Sequence, residues 1–152
     1  MKEKNYTVNI TVDATPREVF NGINSVAKWW TENLEGSSQK LNDEFIVRFG
    51  DVHVSKQKLV EVIPERKVVW LVTESKLNFV NNTPEWNNTK ICFEITEKAG
   101  KTQLQFTHVG LIPEIECYNG CSNAWGQYIN GSLFKLLAEG EGQPELKEAA
   151  VE

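Results

Sequence analysis

The chain has 152 residues, of which 40% are hydrophobic and 24% charged, and carries a formal net charge of −5. That length suits one domain with its own core, and the composition is that of a globular protein rather than a disordered or fibrous one. No apolar run approaches the roughly 20 residues that span a bilayer, and the lysines are scattered rather than clustered, which argues against membrane insertion and against nucleic acid as a partner.

The chain opens Met-Lys-Glu-Lys-Asn-Tyr and passes straight into a strand-like alternation. It lacks the basic-then-apolar layout of a secretory signal, so the expected location is the cytoplasm. Cys92, Cys117 and Cys121 then read as reduced thiols in or near the core. A metal site would need further ligands beside Cys117 and Cys121, and the histidines are only His53 and His108. No metal and no cofactor are expected.

Tyr6, Val8, Ile10 and Val12 alternate with Thr7, Asn9 and Thr11, a period of two that predicts a half-buried first strand. Thr15, Pro16 and Glu18 follow with the spacing of a capping box, so a short helix is predicted from Pro16 to about Gly22. A second short helix is predicted from Ser25, carrying Val26, Trp29 and Trp30 and broken by Gly36-Ser37-Ser38. On a helix the two tryptophans would point about a hundred degrees apart, which puts one in the core and the other at an entrance.

From Asp43 to Val109 the pattern is of strands. Phe45-Val47-Phe49 leads to a Gly50-Asp51 turn, a run from Val52 to Ile63, the turn Pro64 to Lys67, and Val68 to Thr73. An Asn- and Pro-rich loop from Asn78 to Asn88 precedes Lys90 to Thr96, the turn Glu97 to Gly100, and Lys101 to Val109. Short connections between successive strands predict an antiparallel meander. After Gly110, the positions Cys121, Trp125, Tyr128, Ser132 and Leu136, widened by Ala124, Ile129 and Leu133, make the apolar stripe of a long helix ending near Leu137. Gly140 to Glu152 reads as a polar, acidic tail.

An antiparallel sheet with one apolar face must cover it, and only the last helix is long enough to do so. The predicted fold is therefore α+β: a curved antiparallel sheet of about six strands wrapped around the C-terminal helix, with two short helices closing one end. One domain spans 1–152, with an ordered core over about 5–139 and a polar tail over 140–152.

This order resembles the START/Bet v 1-like (SRPBCC) superfamily, the helix-grip fold, and within it the homologues of the activator of the heat-shock-protein-90 ATPase. The resemblance is carried by Val8 to Phe20, by Lys28-Trp29-Trp30, by Leu59 to Trp70, and by the closing stretch Ala124-Trp125-Gly126-Gln127-Tyr128 to Gly140. It implies a cavity for lipids, sterols, polyketides or other apolar molecules between sheet and helix. The residues expected to line it are Trp30, Phe45, Phe49, Trp70, Phe79, Trp86, Phe93, Phe106, His108, Trp125, Tyr128 and Ile129, with Phe79 and Trp86 on a loop that either forms a lid or folds down on its own aromatics. The same aromatics, however, could fill that space themselves.

His108 follows Leu104 and Phe106 on the expected inner face. It either meets a ligand oxygen or proton there, or hydrogen-bonds a neighbour at the strand end. His53, beside a turn, is expected to be solvated. Glu44, Arg48, Glu61 and Glu74 would reach the pocket only through a bulge. No nucleophile elbow, phosphate loop, dinucleotide fingerprint or HExxH helix occurs, which argues against an enzyme. Binding of a small apolar or amphipathic molecule is the leading reading. A cyclase or hydrolase using His108 with a pocket carboxylate or a tyrosine such as Tyr128, and an interaction module contacting a chaperone or a second copy of the chain, are the alternatives.

Overall fold

Alternating β-branched and polar residues draw Tyr6–Val12 into strand β1, and the computed structural model describes it within residues 5–49, 53–77 and 86–144. Helix α1 (Pro16–Asn24) starts as its capping box dictates. The Glu18 backbone N–H donates to Thr15 Oγ1 (3.1 Å), and the Thr15 N–H donates to the Glu18 carboxylate (2.8 Å). Thr15→Ala should therefore cost about 1 kcal/mol of unfolding free energy, and Thr15→Ser only a few tenths, as read by urea denaturation.

The second short helix is smaller than expected, a single 3₁₀ turn over Val26–Lys28. Trp29 leaves it with φ −135° and ψ −24°, so the hundred-degree helical separation does not apply to Trp29 and Trp30. Both indoles are buried and lie nearly parallel, 17° apart with centroids 6.1 Å apart. Neither forms an exposed entrance.

Seven strands make one antiparallel sheet in the order β1-β7-β6-β5-β4-β3-β2. They are β2 (Leu34–Gly36), β3 (Glu44–Phe49), β4 (His53–Ile63), β5 (Lys67–Leu77), β6 (Lys90–Lys98) and β7 (Lys101–Val109), besides β1. The short edge strand β2 was not predicted, because Gly36 read as a helix break. It pairs with Phe45 at φ +102°, where a β-carbon would collide with the Glu44 carbonyl. Glycine is required there by both conformation and space.

Strand β5 continues past Thr73 to Leu77, and its pairing with β4 shifts register at Lys56/Gln57 and at Leu59/Glu61. Such bulges bend and twist a strand, which lets the longest hairpin curl the sheet. The helix held against the concave face covers 22 residues. It comprises α2 (Tyr118–Gly126), a π-helical stretch (Gln127–Leu133) and α3 (Phe134–Glu139). Trp125, Ile129 and Leu133, spaced by four, are its buried ridge. The wider π turn was not legible in the apolar stripe, which tolerates either winding.

Just beyond the helix the chain packs back. The Gln143 N–H donates to Ser132 Oγ (2.6 Å), which itself donates to the Trp29 carbonyl (2.7 Å).

Candidate functional site

Trp29, Trp30, Trp70, Trp86 and Trp125 are all at most 3% exposed, and they stand between sheet and helix. Trp30 stacks on Trp125 (4.9 Å between centroids) and on Trp70 (5.7 Å), while Trp86 stacks on Trp125 from the other side (5.8 Å). Phe45 and Phe93 meet Trp70 edge-on, and Phe106 tilts against Trp125. Phe49 is only half-buried and touches Trp30, His53 and the half-buried Tyr128. These contacts make one continuous aromatic wall, with the half-buried Phe49–Tyr128 pair at one end and the half-buried Tyr6 against Phe106 elsewhere.

The wall is interrupted by a polar stripe on β4. Alternate residues His53, Ser55, Gln57 and Leu59 point inward, and all four are buried. Gln57 Nε2 donates to Ser55 Oγ (2.5 Å), and the Ser55 hydroxyl also shares a hydrogen bond with His53 Nε2 (2.8 Å). His53 is thus not solvated, contrary to expectation. Trp30, Phe49 and Trp86 pack around it, and burial pushes its pKa down to about 3. Gln57 Oε1, Trp70 Nε1 and Trp86 Nε1 are buried with no hydrogen-bond partner among the described residues. Native interiors leave few such atoms unpaired.

His108 is fully buried on β7, and both of its ring nitrogens are engaged. The Trp125 Nε1–H can only donate, so His108 Nδ1 accepts from it (3.0 Å). Its Nε2–H then donates to Thr89 Oγ1 (2.8 Å), and Thr89 passes its own proton to the Trp86 carbonyl (2.6 Å). This chain fixes one neutral tautomer. Burial, with His53 nearby, pushes the His108 pKa down to about 3. Gly110, at φ +105°, makes room for Thr89, whose Cγ2 would lie 2.7 Å from a β-carbon there. An imidazole so occupied orients Trp125 and Trp86; it does not present a nitrogen for acid-base exchange.

The model of the family described as Activator of Hsp90 ATPase homolog 1-like protein matches residues 13–138. The chain belongs to this family. Among solved structures of similar fold is the Aha1 dimer from Colwellia psychrerythraea, 23% identical with a TM-score of 0.73, the match covering 91% of this chain and 99% of that one. Another is DynU16, a putative protein in the dynemicin biosynthetic locus, at 15% identity and TM-score 0.69; 96% of this chain matches 52% of it. A conserved protein of unknown function from Enterococcus faecalis is 16% identical, with TM-score 0.65 over 95% of this chain and 82% of its own. No curated protein matches the chain.

Within this family member the expected lining residues converge. Phe45, Trp70, Phe93, Phe106, His108, Trp125 and Ile129 are buried between sheet and helix, and Phe49 and Tyr128 lie half-buried at one end. Two expectations are narrowed. Of the two settings open to Trp86, a lid or a loop folded inward, the second holds for this ring, which is 3% exposed and wedged edge-on against His53 and His108; stacking on Trp125 draws the end of the loop inward. Trp30 is a core ring rather than an entrance, and Phe79 lies outside the described residues.

The acidic and basic strand residues lie on the outer side, where Glu44 pairs with Lys56, Arg48 with Glu35 and Glu61 with Lys67. Among the described residues no group of three or more His, Cys, Asp or Glu could hold a metal, and no helix is long and apolar enough to cross a membrane. The stripe of His53, Ser55 and Gln57 was missed.

Proposed function

We propose that the chain binds a small apolar or amphipathic molecule between the concave sheet and the C-terminal helix, entering beside Phe49 and Tyr128. The observation that carries this reading is the set of polar atoms on Gln57, Trp70 and Trp86 that find no partner among the described residues within an aromatic wall. Core packing alone gives no return for burying such groups, whereas a ligand with a polar end satisfies them. The π-helical stretch supports the same reading, because such turns recur at functional sites and this one carries Tyr128.

Aromatic polyketides, sterols and fatty acids are the first compounds to test. At a hundredfold excess over Kd a true ligand stabilises the folded chain by about 2.7 kcal/mol, a clear rise in melting temperature. A flat thermal-shift profile across all three classes would remove the proposal.

The engaged nitrogens of His108 weigh against a hydrolase or cyclase built on that residue. A contact between copies is the second reading, favoured by a neighbour of the same fold solved as a dimer. Light scattering on the purified chain checks it, and a single-chain mass at high concentration would leave it without support.

A further inference from the structure

Gln57 faces Val72 across the β4–β5 pair and Leu59 faces Trp70, so Gln57 and Trp70 are diagonal neighbours on the inner face. Both are 0% exposed. Among the described residues the amide carbonyl of Gln57 is an unused acceptor and the Trp70 Nε1–H an unused donor. We propose that this pair recognises the hydroxyl of an uncharged, ring-containing molecule and discriminates against carboxylates. The inference rests on the binding reading above and names the chemistry of its ligand.

A hydroxyl accepts from Trp70 and donates to Gln57 at once. A carboxylate only accepts, so it leaves the Gln57 oxygen facing negative charge. An unsubstituted hydrocarbon leaves both atoms unpaired. Charge sharpens the choice. The buried polar residues of the described chain are Asn, Thr, Ser, Gln and His, with neither Lys nor Arg among them. An ionised ligand would lose its hydration without gaining a counter-ion, a penalty that neutral dipoles do not repay. The flat indoles of Trp30, Trp70 and Trp125, stacked within 4.9 to 5.7 Å of one another through Trp30, favour a planar ring as the apolar part.

The test compares 2-naphthol, naphthalene and 2-naphthoate by equilibrium dialysis at pH 7 against the full chain and against Gln57→Leu. 2-Naphthol should bind about tenfold or more tightly than either of the others. In Gln57→Leu its advantage over naphthalene should largely disappear while naphthalene binding persists. Gln57→Met serves as a second, unbranched replacement, and circular dichroism checks that each variant is folded. Equal or tighter binding of 2-naphthoate, or a hydroxyl preference unchanged in both variants, overturns the inference and leaves the binding site standing. Failure of all three compounds to bind the unmodified chain overturns the inference, while the binding reading falls only with a flat thermal-shift profile across the polyketides, sterols and fatty acids.

Discussion

Trp125→Ala should lower the unfolding free energy by about 4 kcal/mol, as large-to-small changes of buried aromatics do, and the melting temperature by roughly 10 °C. The indole is 2% exposed and stacked between Trp30 and Trp86, with Phe106 at 4.6 Å. Its removal opens a ring-sized hole at the centre of the wall. It also leaves His108 Nδ1 without its only donor, a separate penalty of about 1–3 kcal/mol for an unpaired buried group. Trp125→Phe separates the two, since phenylalanine keeps much of the stacking surface and loses the hydrogen bond. Urea denaturation of both variants checks the expectation: the phenylalanine variant should fall between wild type and alanine, with slopes unchanged. Two variants of near wild-type stability would mean that the wall does not depend on this ring.

Acidification should destabilise the protein well above the ordinary carboxylate range. Burial holds both His53 and His108 near pKa 3, far below the usual value of 6.5. The unfolded chain therefore takes up protons that the folded chain refuses. Stability is complete above pH 6.5 and is lost as the pH falls from there toward 3, at up to about 1.4 kcal/mol per pH unit for each histidine.

Asp43 acts in the same direction only at lower pH. Its carboxylate accepts from the Ser37 hydroxyl and from the backbone N–H groups of Gln39 and Lys40, which hold its pKa below 3.8. Its contribution persists above that value and fades below it. The window from pH 4.5 to 6 thus isolates the histidines. His53→Gln, whose amide can still reach Ser55, should roughly halve the slope of unfolding free energy against pH there. An unaltered slope would show that His53 is as protonatable folded as unfolded.

Local chemistry made several elements legible in advance. The Thr15-x-x-Glu18 spacing closes a capping box without any distant partner, and the alternation of Leu104, Phe106 and His108 sets their common face as soon as β7 is extended. The stripe ending in Trp125, Ile129 and Leu133 could belong only to a helix lying on an apolar surface. Curvature around that helix followed from the need to cover one face of the sheet.

Other features depend on partners far away in the chain, and their residues carry no local mark of them. From His53 to Lys58 neither alternate set is apolar throughout, since Val54 stands with Lys56 and Lys58, so the pattern within the segment does not say which set faces inward; pairing with β3 and β5 turns His53, Ser55 and Gln57 toward the rings. Gly36 reads equally as a helix break or as the end of an edge strand until Phe45 lies beside it. Trp86 sits in a loop by composition and in the core by contact, because Trp125 and two histidines surround its ring. Backbone propensity and periodicity act over a few residues, whereas burial and hydrogen-bond partnership are settled only when segments tens of residues apart close on one another.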